Sequence, residues 1–212
     1  MAEQNLEQFS KFIADNKGKR KFKQTVELAI NFKDIDFTKQ DSKLNVDVNL
    51  PNGKGSKVKK IAIFATERNM IEEAKKNNIE VINGNELDSI KSDNARLSSL
   101  VNYELIAQPN LMPVIAKSLG QFLGPRNKMP KPLLGNVNMA AIANELNKRV
   151  TIRNKGKNLP TIHCIVGTED MEPQKLYENI NEVVNTVSKK IGANRIRSVY
   201  VKLTMSAPMR LM

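Results

Sequence analysis

The sequence predicts an α/β protein in which an antiparallel-rich α+β domain is split by an inserted domain built on a parallel sheet. Three observations predict it. Apolar and polar residues alternate near residues 26–32, 44–50 and 199–205, the period of half-buried strands. Between residues 61 and 108 the strands are instead short unbroken apolar runs separated by helical stretches, as parallel strands with crossovers require. The alternating style returns after residue 150, so its two blocks bracket the continuous one.

Element by element, Leu6, Phe9, Phe12 and Ile13 form a helical stripe that Gly18 stops. The run KGKRKFK follows at 17–23, with five cations in seven residues. Val26, Leu28, Ile30 and Phe32 mark the first strand. Leu44, Val46, Val48 and Leu50 mark the second, which Pro51-Asn52-Gly53 ends. IAIFA (61–65) is a buried strand, followed by a helix over 69–77, a strand at 79–82, a short helix at 86–91 and a strand within 103–108. Pro109 opens a helix with Leu111, Val114, Ile115, Leu119 and Phe122 at helical spacing, and another helix covers 138–149. VTIR and IHCIV read as strands. Pro173 begins a long helix that Gly192 ends, and SVYVKLTM (198–205) is the last strand. The expected division is residues 1–53 with 150–212 as a discontinuous first domain, and 54–149 as a Rossmann-like insertion. Two chain crossings would permit a hinge.

Composition narrows the function. The chain has 34 Lys+Arg against 22 Asp+Glu, a formal net charge of +12. So strong a cationic excess points to a polyanion. No apolar run approaches the ~20 residues of a membrane span, and the N-terminus has no apolar signal core. One cysteine, Cys164, excludes an intrachain disulfide, and with a single histidine, His163, a Cys/His zinc site is nearly excluded. There is no GxGxxG after a strand and no GxxxxGK[ST] loop. His163 and Cys164 are strand neighbours and point to opposite faces, so they cannot act together as nucleophile and base.

Basic clusters stand at 17–23, 54–60, 153–157 and 189–197. Several clusters converging on one domain favour phosphate contacts. Parity then selects a face. With Val26, Leu28 and Ile30 inward, Thr25, Glu27 and Asn31 face out; with Val199, Val201 and Leu203 inward, Ser198, Tyr200, Lys202 and Thr204 face out. Hydroxyls and short polar groups of this kind can bond ribose 2′-OH and base edges, although an ordinary wet sheet face has the same pattern. The stretch GQFLGPRNKMPKPLLGN (120–136) contains six Gly or Pro residues and three cations, Arg126, Lys128 and Lys131. Two readings fit it: a rigid loop presenting charge to phosphates with little entropy left to lose, or a crossover that must turn sharply beside a sheet.

SLGQFLGPRNKMPKPLLGNV (118–137) resembles the signature of the ribosomal protein L-one family, with Gly124, Pro125, Arg126, Lys128 and Pro130 at its centre. FKQTVELAI (22–30) is similar to that family's first strand and RSVYVKLTM (197–205) to its last, and the short form looks archaeal. The resemblance implies two domains, the first carrying the main RNA site. It implies a non-enzymatic constituent of the large ribosomal subunit, cytoplasmic and ribosome-bound. Its partners would be the lateral-stalk region of large-subunit ribosomal RNA, its own messenger RNA as a translational repressor, and transfer RNA leaving the exit site. No cofactor, metal or membrane is expected, and the free protein would be a monomer. On matching positions the implied RNA contacts are Lys21, Phe22, Thr25 and Glu27, then Arg153, Lys155 and Lys157, then Ser198, Thr204, Met205 and Ser206. Phe22 and Met205 have inward parity, which strand ends and bulges can re-aim. Ser206 stands where the family usually has Gly, the residue that allows the closest backbone approach. Glu27 would accept from a base amino group or ribose hydroxyl, or hold a neighbouring cation. Two rivals remain on the residues alone: a small α/β enzyme for a phosphorylated metabolite, and a sequence-independent nucleic-acid binder.

Overall fold

A computed structural model describes residues 2–39, 42–56, 60–133, 138–154 and 159–212, with backbone alone at 2–4 and 88. Helices combine with both antiparallel and parallel sheets, so the α/β class holds. The chain divides into two compact units, Met1–Val58 with Asn147–Met212, and Lys59–Leu146.

The first unit has a four-stranded antiparallel sheet in the order β10-β9-β1-β8, made of β1 (Thr25–Phe32), β8 (Thr161–Thr168), β9 (Ile196–Leu203) and β10 (Met209–Arg210). Val26, Leu28 and Ile30 alternate inward with no exposure, as do Val199, Val201 and Leu203. Two helices cover that face. In α1 (Ala2–Asn16), Phe9 and Ile13 are the buried members of the stripe; in α7 (Pro173–Ile191), Leu176, Ile180, Val183 and Val187 are. Burial of these apolar side chains, about 1.5–3 kcal/mol each, is the main stabilising term. Gly192, at φ +100°, gives α7 its stop. β2 (Asn45–Asn49) and β7 (Arg149–Arg153) form a separate antiparallel pair, Val46 opposite Ile152 and Val48 opposite Val150.

The second unit has an all-parallel sheet in the order β4-β3-β5-β6, made of β3 (Ile61–Ala65), β4 (Glu80–Asn83), β5 (Glu104–Ala107) and the short β6 (Lys131–Pro132). The unbroken apolar run is explained by apolar clusters on both faces. Ala62 and Phe64 pack with Leu87, Leu97, Ile115 and Leu119, whereas Ile61, Ile63 and Ala65 pack with Ala74, Met139 and Leu146. The helices are α2 (Arg68–Lys76), α3 (Leu87–Ser92), α4 (Asn94–Leu100), α5 (Met112–Leu123) and α6 (Met139–Lys148).

Three elements were not expected. α4 is capped by Asp93, whose carboxylate accepts from the Ala95 and Arg96 N–H groups. The two-residue β6 and β10 are too short for periodicity to reveal. The last strand also ends earlier than its pattern, at Leu203, because Ser206 N–H donates to the Leu203 carbonyl at 3.1 Å and turns the chain.

Asn179 fixes the loop after β2 from inside α7. It is fully buried, its amide donates to the carbonyls of Gly53 (2.9 Å) and Val166 (2.8 Å), and its oxygen accepts from Asn52 N–H at 3.0 Å. Asn179→Leu should orphan three backbone groups and lower stability by about 2–4 kcal/mol. Denaturant unfolding of the variant, with an unchanged m-value, checks this.

Candidate RNA interface

The face of the first sheet opposite its helices carries the outward-parity residues. Three cross-strand rows build it: Thr161–Asn31–Ser198, His163–Ala29–Tyr200 and Ile165–Glu27–Lys202, with Arg210 beside Tyr200 on the edge strand. Lys202 lies directly opposite Glu27, the placement in which unlike charges favour each other across strands. His163 is exposed here, whereas Cys164 is buried on the other face, its thiol pushed up to about 12 by that burial.

The start of β1 meets the end of β9. Thr204 N–H donates to the Thr25 carbonyl at 3.1 Å, and the Thr204 hydroxyl accepts from Thr25 N–H at 3.1 Å. Thr25 is therefore only 4% exposed although its parity is outward. The Ser206 hydroxyl accepts from Leu203 N–H at 2.9 Å and closes the turn. Ser206 is not among the residues with positive φ, so a side chain is accommodated there without backbone strain. Phe22 and Met205, 51% and 56% exposed, lie just outside the two strands. Strand parity does not govern them, which is why the alternation pattern assigned them to the core side.

Gln24 is the organising residue that sequence reading missed. It is 2% exposed. Its oxygen accepts from Met205 N–H at 3.1 Å, and its amide donates to the Asn16 carbonyl at 3.1 Å and to Glu169 at 3.2 Å. One amide thus joins the end of α1, the β8–α7 loop and the Met205 turn. A polar residue immediately before a strand gives no periodic signal, so only its burial reveals it.

Beside this turn, Lys23 pairs with Asp170 at 3.4 Å. The Thr168 hydroxyl donates to Asp170, holding that carboxyl below the usual aspartate range. Ser56 N–H donates to the same hydroxyl at 3.2 Å, and Gly55, at φ +67°, approaches so closely that an added Cβ would overlap Thr168 Oγ1. Residues 54–56 of the basic cluster are anchored at the Thr25 end of the sheet in this way; 57–59 lie outside the described residues.

The remaining expected contacts are placed differently. Lys21 is exposed in the segment before β1. Ser198 is 6% exposed, with its oxygen accepting from the Asn31 amide at 3.0 Å. Arg153 ends β7, in the two-stranded ladder and not in the four-stranded sheet. Lys155 and Lys157 lie outside the described residues.

The Gly/Pro-rich stretch belongs to the second unit, where it finishes α5, turns and enters β6. Gly124 N–H donates to the Gly120 carbonyl at 2.8 Å, and a Cβ on Gly124 would stand 2.7 Å from that oxygen. Pro130 is buried and Pro125 exposed. Arg126 lies 3.8 Å from the centroid of the Phe122 ring and donates to the Phe122 carbonyl. Lys128 donates to the Tyr103 carbonyl at 3.0 Å. These contacts are those of a sharply turned crossover. Residues 134–137 of the stretch lie outside the described residues.

Among the described residues no helix is long and apolar enough to cross a membrane, and no group of three or more His, Cys, Asp or Glu could hold a metal ion. A family model described as the ribosomal protein L1p/L10e family matches residues 8–207. The chain is 37% identical over 196 residues to the large ribosomal subunit protein uL1 of Methanothermobacter thermautotrophicus, covering 91% of each. It is 40% identical over 197 residues to that of Thermococcus kodakarensis, covering 91% of this chain and 89% of the relative. It is also 40% identical over 199 residues to that of Pyrococcus horikoshii, covering 91% and 88%.

Thr204→Val should unpair the Thr25 N–H and lower stability by about 1–3 kcal/mol, while Thr204→Ser keeps the bond and most of the stability. Thermal unfolding of the two variants tests this. The depressed Asp170 contributes stability at neutral pH that is lost as the pH falls below about 3.9, the ordinary aspartate value, toward its lowered one. Asp170→Asn should flatten that acid limb of the stability–pH curve.

Proposed function

We propose that this chain, which belongs to the ribosomal protein L1p/L10e family, is a non-enzymatic constituent of the large ribosomal subunit that binds folded ribosomal RNA through its first unit. The observation that carries the reading is the Thr25–Thr204 closure beside exposed Phe22 and Met205. It is a rigid turn with two apolar side chains in solvent and the cations Lys21 and Lys23 next to it. Phosphate pairing by the basic clusters supplies affinity. The fixed turn and the polar sheet face supply specificity by shape, 2′-OH and base-edge contacts.

The RNA is the lateral-stalk region of the large subunit. A similar element in the protein's own messenger RNA would make it a translational repressor, and the stalk position would bring it to transfer RNA leaving the exit site. The family resemblance supports these finer readings. The split first unit is the RNA-binding domain, and the inserted unit a second domain joined by two crossings.

Filter-binding titrations against a stalk RNA fragment, duplex DNA and transfer RNA at two salt concentrations test the reading. Expected is clear preference for the stalk fragment over duplex DNA at both salts. Phe22→Ala should weaken stalk binding by about 1–3 kcal/mol with an unchanged melting temperature, because the ring is half in solvent. Lys155→Ala should lower the salt slope by about one. Equal affinity for duplex DNA, or binding by the inserted unit's surface with Phe22→Ala silent, would overturn it.

A further inference from the structure

At the far end of the same sheet face is a polar concavity of about 340 Å³, lined among others by Asn31, Thr161, Arg197, Ser198, Tyr200 and Arg210. Arg197 reaches it through an irregularity in the sheet. Along β9 the pairing with β1 runs Ser198 opposite Asn31 and then Ile196 opposite Phe32. Arg197 is the extra residue between them, a bulge. Simple alternation from Val199 would point Arg197 toward the core side, and a bulge is a device that re-aims such a side chain. The second arginine comes from β10, where Arg210 pairs opposite Tyr200 and donates from Nε to the Met212 carbonyl at 2.9 Å.

The floor is a directed hydrogen-bond chain. The Thr161 hydroxyl donates to the Asn31 oxygen at 2.9 Å, and the Asn31 amide donates to the Ser198 oxygen at 3.0 Å. With its oxygen accepting, the 6%-exposed Ser198 has its O–H to donate. The named lining contains two guanidinium groups and no Asp or Glu, and among the described residues Arg197 forms no ion pair. Two planar forks and a hydroxyl donor converge on a concave, polar space, which is the donor set an RNA phosphate requires.

We propose that this cleft is a second phosphate-binding site, seating one phosphodiester of an RNA whose main contact lies at the Thr25–Thr204 end of the sheet. The inference rests on the RNA-binding reading above. Ser198 is already among the contacts that the family resemblance implies; what the cleft adds is Arg197 and Arg210 as a seat for one phosphate.

The test uses the full chain, the stalk RNA fragment and duplex DNA. Arg197→Ala should weaken stalk binding about fivefold at low salt and reduce the salt slope by about one. Arg197→Lys should keep the slope while losing part of the affinity, because a point charge replaces a fork. Phosphate-ethylation interference on the RNA should show one position that interferes with the wild-type protein and no longer interferes with Arg197→Ala. Arg210→Ala, which also loses a backbone contact, is interpreted only at an unchanged melting temperature. Wild-type preference for stalk RNA with Arg197→Ala unchanged in affinity and slope overturns the cleft alone. Lost stalk preference at an unchanged slope also overturns it, since the arginine would then act on specificity and not on a phosphate. Absence of stalk preference in the wild type overturns the RNA-binding reading itself.

Discussion

The central place of β1 is the constraint on which the first unit depends. This strand comes from the N-terminal part of the chain, yet both of its ladders are made with strands from the C-terminal third, β8 on one side and β9 on the other. Neither the buried face with α1 and α7 nor the polar face opposite exists until the two ends of the chain meet. Closing so long a loop has an entropic cost, but that cost grows only logarithmically with length. A whole folded unit can therefore stand between the halves. The β2–β7 pair makes the insertion compatible with the fold, because Leu50 N–H donates to the Lys148 carbonyl and the chain leaves and returns at adjacent points.

The same closure decides what the polar face can offer. The Thr204 oxygen is already engaged by the Thr25 N–H, the Ser206 oxygen by the Leu203 N–H, and the Ser198 oxygen by Asn31. The hydroxyls of Thr204 and Ser206 hold backbone N–H groups in place, and that of Ser198 holds a side-chain amide. What remains accessible at the Thr25 end is the outer surface of a fixed turn, the side chains of Phe22 and Met205, and nearby cations. Preorganisation of this sort removes ordering entropy that binding would otherwise have to overcome. It also explains how Ser can stand where Gly is usual in the family: the hydroxyl turns inward, and the outer surface of the turn is left to the backbone.

Much of the fold was legible because its signals are periodic. Alternation located β1 and β9, an unbroken apolar run located β3, and Pro173 with Gly192 bracketed α7. The site was legible only in part. Parity separates the two sides of an ideal strand, and it fails where the strand ends or bulges. Phe22 and Met205 sit past the ends, and Arg197 sits on a bulge. Gln24 was invisible for another reason. Its importance lies in three bonds to residues 16, 169 and 205, and no local pattern encodes partners so distant in sequence. α4 was legible in principle, since Asp93 two residues before Ala95 is an N-cap signal, but its seven residues are too few for a strong stripe.

Charge density alone does not tell one cationic stretch from another. The Gly/Pro stretch and the cluster at 189–197 are comparably rich in cations, yet their side chains are in different situations. Arg126 stacks on Phe122 and bonds its carbonyl, and Lys128, 17% exposed, is held between the Tyr103 carbonyl and Glu104 at 3.9 Å. Those charges stabilise a tight crossover in a unit whose core needs it. Arg197, exposed as Arg126 is, stands at a bulge beside hydroxyl and amide groups. A cation already engaged by its own fold, as Lys128 is, has less attraction left for a phosphate, whereas one in water without such partners keeps nearly all of it. Net charge thus points to a kind of partner, and it is the local geometry of each cation that separates one engaged within the fold from one left to solvent.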